Sequence, residues 1–493
     1  MVSRLPFLGP WQRGLVGAVF LILFFGLQFP LWARLGGGGG YSGGGGGGGG
    51  GYSGGGGYSG GGGGGGSYPP ITAKEFFTTM LCLSPLGILM LYRSRNDRLN
   101  PTLIQRAPQK PVDWGLICRS DPNFSHVLFR DFAYTLFAKV HEARGNQNLA
   151  RFGQFLCPKV LEDLQSMAPG LTDVSGVIVG SLNVRSVKIE GRTIQIRLVF
   201  DANYTEHFGS RTRSVYGRHM WWLERDAALQ SLPPETISAL DCLGCGSSFE
   251  PTAEGRCAHC GEYLEPGKHH WMVHYTSLGE EREVGPALTT SVPDVGLNLP
   301  TLYSPDYHGE RERFEQEHPD FKFEAMTYRF RHIFFELQEA WSTQDLERLR
   351  PFETDSLFQN HSYWVREYQK QGLRNELSQV RIQNLEVVKF RSDKYYDSVT
   401  CRIFASMTDC TRWANGTIAC GNPSLPKQFS EYWTFVRGRG AVESKEEDSN
   451  CPNCGVELQI NMAGECEFCD SKLTSGRFGW VLSEIQQDEE YRG

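Results

Sequence analysis

Cysteines with metal-ligand spacing are the residues of this sequence that most clearly predict chemistry. Eight of the 14 cysteines form pairs separated by two residues, and 11 residues separate the two pairs of each array. Four thiolates satisfy tetrahedral zinc, and the two-residue spacing lets each pair form a tight turn. Because no coordination position stays open, each array predicts a structural zinc ion in a reducing compartment. The predicted ligands are Cys242, Cys245, Cys257 and Cys260 in the first array, and Cys451, Cys454, Cys466 and Cys469 in the second.

The alternative for the two arrays is that their cysteines merely pack in a core, but the same spacing would then have to arise twice. The remaining cysteines show no such spacing. Cys401, Cys410 and Cys420 have no partner at such a spacing, so we expect them in a core or in loops. A disulfide would follow if this part of the chain lay in an oxidising compartment.

No set of residues in the sequence predicts catalysis. His332 and Glu336 are four residues apart and could share a helix face, as could His141 with nearby acids. An exposed or capping pair is the commoner use of such spacing. The sequence contains no recognisable Ser-His-Asp motif, Walker loop or zinc site with an open position. We therefore predict that the protein is not an enzyme and has no catalytic residues.

Two apolar segments near the amino terminus predict attachment to a membrane. Residues 14–33 are apolar over a length that can cross a bilayer, so residues 1–34 are either a signal peptide or a first transmembrane helix. Residues 74–92 are a second apolar segment, and three arginines follow it closely. This basic flank is typical of the cytoplasmic end of a transmembrane helix, and a buried core helix is the alternative.

A glycine-rich segment separates the two apolar segments. Residues 35–70 have too little apolar surface to offset the entropy of ordering, so they predict a disordered tether. A phosphate-binding loop would need a strand before it and a helix after it, and neither is predicted here. With the basic flank in the cytoplasm, the tether would lie outside and the chain after about Asn100 would lie inside. Residues 93–120 are assigned to a linker.

The remainder of the chain contains an internal repeat. The four cysteines and Trp271 of the first copy recur 209 residues later as the second array and Trp480. An aromatic strand precedes each array, at residues 220–225 and 431–437. Further upstream, apolar residues spaced by about four predict a long helix in each copy. These residues are Phe124, Leu128, Phe132, Leu136 and Val140 in the first copy, and Met326, Phe330, Phe334, Leu337 and Trp341 in the second.

Helices followed by antiparallel strands predict an α+β fold, with a curved sheet around each long helix. The domains are predicted at residues 121–280 and 320–487, with a linker at 281–319. Each array lies between an aromatic strand and a final strand, so we predict zinc ribbons at 242–260 and 451–469. These segments are called the first and the second ribbon below. The aromatic stripes are expected to fill the cores rather than to line a cofactor pocket.

The second copy resembles a known family. It is similar to the domain of the mitochondrial inner-membrane translocase subunit 44 family and its bacterial relatives, closely over residues 320–487 and more loosely over 121–276. The resemblance implies cone-like domains of nuclear transport factor 2-like type. The mitochondrial proteins have no zinc ribbon in this domain and carry a chaperone-recruiting part that is not recognisable here, so the import-motor role does not carry over. The similar segments are 330–341, 345–352, 431–437 and 480–482.

Charge limits the choice of partner. The net charge of −7 argues against a surface built to neutralise nucleic acid, and the second ribbon is acidic. The first ribbon is followed by Lys268, His269 and His270, where a solvated turn is favoured over a weak anion contact. We therefore expect no nucleic-acid partner.

These patterns together predict a non-enzymatic adaptor or scaffold anchored in a bacterial inner membrane. Its tandem domains would face the cytoplasm and bind a protein or lipid partner. A small-molecule-binding or enzymatic cone is the alternative. A deep cavity with a buried carboxylate or histidine would favour the alternative, whereas cones filled by the aromatic stripes would favour the adaptor.

Overall fold

The structure is a computed structural model that describes much of the chain from residue 112 onward. The described residues are 112–145, 148–231, 240, 242, 245, 247, 252, 256–263, 267, 270–283, 297–441, 450–488 and 490–493. The predicted apolar segments 14–33 and 74–92 and the predicted tether 35–70 lie outside these residues. Among the described helices, none combines the length and the apolar character needed to cross a membrane.

The first copy consists of helices followed by an antiparallel sheet of strand order β1-β2-β3-β4. The long helix α2 begins after Ser125, whose Oγ accepts a hydrogen bond from the amide of Leu128 at 3.3 Å and so caps the helix. A short 3₁₀ helix at Leu149–Phe152 follows α2. The elements are α1 Gly115–Cys118, α2 His126–Ala143, α3 Pro158–Ser166, β1 Asp173–Glu190, β2 Thr193–Phe208, β3 Arg211–Asp226 and β4 Met272–Glu283.

The second copy repeats this order with longer helices. Pro351 lies in a 3₁₀ turn, Arg350–Phe352, because proline cannot continue the hydrogen bonding of the helix before it. The sheet has the order β5-β6-β7-β8. The elements are α4 Tyr307–Glu317, α5 Phe323–Thr343, α6 Leu346–Leu349, α7 Asp355–Lys370, β5 Leu373–Ser392, β6 Tyr396–Trp413, β7 Ile418–Gly438 and β8 Val481–Gln487.

The long helix of each copy buries its apolar stripe against its sheet. All ten residues of the two predicted stripes are at most 8% exposed. The ring of Phe330 stacks on Phe435 at 3.8 Å between centroids and meets Trp480 edge-on at 5.5 Å. Phe129 makes the same edge contact with Trp271, at 5.1 Å. The α+β architecture with two antiparallel sheets is thus confirmed, whereas the nuclear transport factor 2-like detail stays a prediction.

Equivalent contacts align the two copies residue by residue. Leu156 forms an isolated bridge with Val273, and Glu353 forms the corresponding bridge with Leu482. The two Phe–Trp contacts align α2 with α5 in the same way. This alignment identifies which residue of one copy occupies the position of a given residue in the other.

A packed helix lies within the segment predicted as a linker. Residues 281–319 include α4, and Phe314 of this helix is 2% exposed in the core of the second copy. The charged sequence around Phe314 has little helical amphipathicity, so its pattern did not predict a packed helix. The domain boundaries themselves remain predictions.

The two copies also contact each other. Asp393, in the turn between β5 and β6, accepts a hydrogen bond from Ser125 Oγ at 2.7 Å and lies 3.2 Å from Nδ1 of His126. Arg130 of α2 pairs with Glu484 of β8 at 2.5 Å. These contacts join the first half of α2 to the β5–β6 turn and β8 of the other copy.

Candidate metal centres

Each cysteine array closes into a compact group of four thiols. Within each group the sulfur atoms all lie within 4.8 Å of one another. The Cys242–Cys260 and Cys451–Cys469 sulfur distances are both 3.8 Å. A tetrahedral ion with metal–sulfur bonds of about 2.3 Å needs sulfur atoms about 3.8 Å apart, whereas a disulfide needs about 2.0 Å. The donor sets therefore fit a tetrahedral, thiolate-bound metal ion.

The same backbone hydrogen bond shapes all four cysteine turns. In each turn, the amide of the first cysteine donates to the carbonyl five residues later, which folds the chain around the sulfur atoms. The four bonds are Cys242 to Ser247 at 2.7 Å, Cys257 to Glu262 at 2.9 Å, Cys451 to Val456 at 2.7 Å and Cys466 to Ser471 at 3.0 Å.

Three of these turns place a residue with positive φ four positions after the first cysteine. Gly261 and Gly455 have φ of 73° and 74°, which glycine adopts without steric cost. Asp470 takes this position in the last turn with φ of 55°, a conformation that aspartate tolerates better than most residues. Two of these three turns therefore use glycine at the left-handed position, and the third uses aspartate.

Local hydrogen bonds favour the thiolate form at one cysteine in each group. The backbone amide of Cys260 is the largest cause that lowers the pKa of Cys257 to about 6. Hydrogen bonds from the side chains of Ser471 and Asn453 lower the pKa of Cys469 to about 6. The pKa values of Cys260 and Cys454 are raised instead, so the local donors favour the thiolate at one cysteine of each group and not at all four.

An arginine–tryptophan pair closes the base of each ribbon. Arg225 at the end of β3 lies over the Trp271 ring at 4.6 Å, and Arg437 near the end of β7 lies over Trp480 at 4.7 Å. A buried carboxylate pairs with each guanidinium. Arg225 pairs with Asp121 at 2.8 Å, and Arg437 pairs with Asp397 at 3.0 Å. The repeated tryptophans therefore contact the strand before the ribbon as well as the core.

Arg350 attaches the second ribbon to its domain. This side chain is 1% exposed and donates to the carbonyls of Met462 and Ala463 at 3.1 and 2.9 Å. It also donates to the Glu353 carbonyl at 3.1 Å and pairs with Asp355 at the start of α7. The ribbon therefore makes direct hydrogen bonds to the core of the second copy.

The first copy lacks this attachment among its described residues. The alignment set by the two isolated bridges places Gly153 at the position of Arg350. Glycine has no side chain that could reach a ribbon carbonyl. Among the described residues, the two ribbons therefore share four cysteines each, and only the second shows a side-chain connection of the Arg350 type.

The other candidate residues of the sequence are dispersed. Cys401, Cys410 and Cys420 are buried, at 0%, 1% and 7% exposure, as expected for core residues. Glu336 pairs with Arg348 at 2.8 Å, and the His332 ring meets Phe352 edge-on at 5.7 Å. His332 and Glu336 thus each contact another residue, Phe352 and Arg348 respectively.

His141 differs from expectation because it is neither exposed nor a cap. Its side chain is fully buried against the β2–β3 region, with Nδ1 3.1 Å from Nη1 of Arg144. Burial, followed by His219 and Arg144, holds the pKa of His141 well below its usual range. The spacing pattern could not reveal this, because the side of the helix that faces the sheet is decided by tertiary packing.

A polar cluster in the core of the second copy was missed from the sequence. Nδ1 of His361 lies 2.5 Å from Oε1 of Glu353, and Gln338 is buried in the same core. Their exposures are 2%, 0% and 1%. The aligned residues of the first copy are apolar: Leu164, Leu156 and Phe137. Comparison of the two copies position by position would have found this cluster.

Comparison with known protein families gives a match in the second copy. The fold defines the class as an α+β protein with tandem helix-and-sheet copies, each carrying a tetrathiolate centre. Residues 310–450, which lie in the second copy, match the model of the Tim44-like domain. No curated protein matches the chain. The matched residues include α5 and the strands β5 to β7, and they end before the second ribbon.

Proposed function

We propose that this protein is a membrane-anchored, non-enzymatic adaptor whose tandem domains bind a protein or lipid partner at a bacterial inner membrane. The observation that carries the proposal is the Tim44-like domain, which belongs to a generally non-enzymatic, membrane-associated family. The filled interior supports it. Phe330, Phe334, Trp433 and Phe435 are all fully buried, as in a core built for stability rather than for a ligand.

The metal in each ribbon is proposed to be zinc with a structural role. Four cysteines at tetrahedral spacing are the donor set that zinc prefers, and they leave no position for substrate. Zinc, when bound, supplies folding energy to segments that have few apolar residues of their own.

Exposed aromatic residues on α5 give the second copy a candidate contact surface. Tyr328 is 74% exposed and Phe335, two turns later on the same helix, is 41% exposed. Large aromatic side chains at the surface are common anchors of protein interfaces. This surface lies on the helix whose other side packs the core, so it is rigidly presented.

Membrane anchoring is tested by extraction of the full-length chain. The proposal expects the wild-type protein to stay with membranes in alkaline carbonate, which strips peripheral proteins. Leu86→Arg combined with Leu89→Arg places two charges in the apolar segment 74–92, and it should weaken retention because each charge at a helix centre costs about 3 kcal/mol. Complete release of the wild-type protein by carbonate would contradict the anchor.

Partner binding is tested by photo-crosslinking in cells. A photoreactive residue at Tyr328 should give discrete adducts, whereas the same residue at exposed Glu324, one turn earlier on α5, should give fewer. Mass spectrometry of the adducts distinguishes protein from lipid. Equal, diffuse labelling at both positions would count against a partner on this surface.

A ligand-binding or enzymatic cone remains a second candidate because of one observation. The Glu353–His361 pair is a carboxylate oriented on an imidazole inside an apolar core, an arrangement that acid–base sites use. A His361→Leu, Glu353→Leu protein that retains partner binding and in-cell function would favour the adaptor. Loss of function with an intact fold would favour the cone as a site.

A further inference from the structure

A small cavity lies where the two copies meet. Its volume is about 50 Å³, and it is lined by α2 and β1 of the first copy and by α7 and β8 of the second. Water occupies about 30 Å³ per molecule in the liquid, so the cavity suits an ion with one or two waters. The polar side chains that carry the argument are Asp131, Tyr134, Ser181 and Asn360.

Three hydrogen-bond donors of this lining already have acceptors. The Tyr134 hydroxyl and the Asn360 amide Nδ2 both donate to the carbonyl of Val179, at 3.1 Å each. The Ser181 hydroxyl donates to Asp201 at 2.9 Å. Each of these groups still has oxygen lone pairs that can accept. The lining therefore offers oxygen acceptors. Such a lining suits a cation or a group that only donates hydrogen bonds.

One of these acceptors is buried without a partner. Asn360 is 2% exposed, and its Oδ1 receives no hydrogen bond from any residue that the structure describes. A buried acceptor left unsatisfied costs about 1 to 3 kcal/mol. Because Asn360 lines the cavity, a ligand there can satisfy this atom.

Asp131 supplies a carboxylate to this lining, where Arg130 and the Ser356 hydroxyl only partly favour its charged form. Burial, followed by the charge of Asp355, raises the pKa of Asp131 to about 7. The nearby cations have other partners, since Arg130 pairs with Glu484 at 2.5 Å and Lys472 pairs with Asp355 at 2.8 Å. A bound cation would offset the charge of this carboxylate.

We propose that the cavity between the two copies is a site for a hard divalent cation of the calcium type, held by oxygen atoms of Asp131 and Asn360. Calcium accepts a mixture of carboxylate, amide and hydroxyl oxygens in variable geometry, whereas magnesium demands a near-ideal octahedron. Asp131 belongs to the first copy and Asn360 to the second. The cation would therefore stabilise the contact between the copies.

The proposal is tested by titrating CaCl2 into the full-length, zinc-loaded chain in calcium-free buffer, with calorimetric detection. One saturable site per chain is expected, with MgCl2 and KCl binding at least tenfold more weakly. Asp131→Asn should lower calcium affinity at least tenfold. Glu324→Gln, which removes an exposed acid on α5, should bind calcium as the wild type does.

A gain-of-affinity variant keeps the test decisive if Asp131→Asn folds poorly. Asn360→Asp adds a second carboxylate at the same cavity, and it should raise calcium affinity about tenfold. Zinc content measured before and after titration separates this site from the ribbons. The proposal is overturned if the wild-type chain binds no calcium saturably, if KCl saturates the site and CaCl2 does not, or if neither variant changes the affinity.

Discussion

At the scale of single residues, the ribbons depend on cysteines whose positions in the turn are not equivalent. In the second group Cys451 and Cys466 are buried, whereas Cys454 is exposed. The buried cysteine of each turn carries the hydrogen bond that folds the turn, and the exposed one completes the donor set. Removal of an exposed ligand therefore tests coordination with little disturbance of packing.

Cys454→Ser should reduce the metal content of the full-length chain from two zinc ions to one. A hydroxyl is a poor ligand for zinc compared with a thiolate, and three donors leave the coordination incomplete. Metal content is measured by atomic emission on protein purified under reducing conditions. Cys118→Ser, which alters an exposed cysteine of α1 outside both arrays, is the control and should retain two ions. Two ions in Cys454→Ser would remove this residue from the ligand set.

Another residue-scale prediction concerns the buried Glu353–His361 pair. His361→Leu alone should lower the free energy of unfolding of the second copy by about 3 to 5 kcal/mol, because it leaves Glu353 buried without its partner. The double variant Glu353→Leu, His361→Leu restores the residues of the first copy at these positions. It should be within about 1 kcal/mol of wild type or more stable.

Hydrogen exchange of the strand amides in β6 measures both effects in the full-length chain. Val365→Ala, a buried apolar change in the same helix, controls for simple loss of packing, with an expected cost of about 1 to 3 kcal/mol. If the double variant is as unstable as the sum of the single variants, the two residues are not a coupled pair.

At the scale of elements, each ribbon is an insertion that must be held by the strands on either side. The arginine–tryptophan pair does this at the base of both ribbons. Only in the second copy do the described residues add a connection from the ribbon to the start of a helix, through Arg350. We therefore expect the second ribbon to move with α7.

Arg350→Met should detach the second ribbon without removing its metal. The substitution abolishes the hydrogen bonds to two ribbon carbonyls and leaves the metal ligands intact. Bonds from a charged donor are worth about 1.5 to 3 kcal/mol each, so limited proteolysis between residues 450 and 473 should accelerate at least tenfold. Zinc content should stay at two ions.

Arg348→Met is the matched control for this change. Arg348 is 40% exposed and forms a surface pair with Glu336, which contributes about 0 to 1 kcal/mol. The Arg348→Met protein should be cleaved between residues 450 and 473 at the same rate as the wild type. Equal cleavage of the two variants would show that Arg350 does not secure the ribbon.

At the scale of the whole molecule, the two copies should respond differently to acid. Burial lowers the pKa values of His219 and His270 in the first copy to about 3, and that of His141 falls in the same direction. Because the folded-state pKa lies below the ordinary 6.5, the unfolded state takes up protons first. The stability from neutral histidine is present above about pH 6.5 and is lost as pH falls toward 3.

His126 of the first copy belongs to the same group, because burial lowers its pKa to about 4. Each of the four histidines should lower the free energy of unfolding by about 1.4 kcal/mol per pH unit below 6.5, or about 5 kcal/mol per pH unit together. Hydrogen exchange, corrected for its intrinsic pH dependence, should therefore show that β2 loses protection at a higher pH than β6. His219→Gln should remove about one quarter of this slope. Loss of protection in both sheets at the same pH, with no effect of His219→Gln, would contradict the assignment.

The sequence by itself determined the features that depend on local spacing. The cysteine arrays, the two helical stripes and the order of helices and strands are short-range patterns, since each is set by residues within a few turns or one hairpin of each other. The repeat was equally visible, because a duplicated fold keeps its cysteines and tryptophans at one offset. These features predict the α+β architecture and the two four-cysteine groups.

Tertiary structure alone decided which distant residues meet. Arg350 contacts a ribbon carbonyl 112 residues away, and Asn360 donates to a carbonyl 181 residues away. Neither pairing leaves a periodic pattern, because a contact across the fold constrains position and not spacing. The polar cluster in the second core and the cavity between the copies have the same origin. They form only when the packed helices and sheets bring isolated polar side chains together.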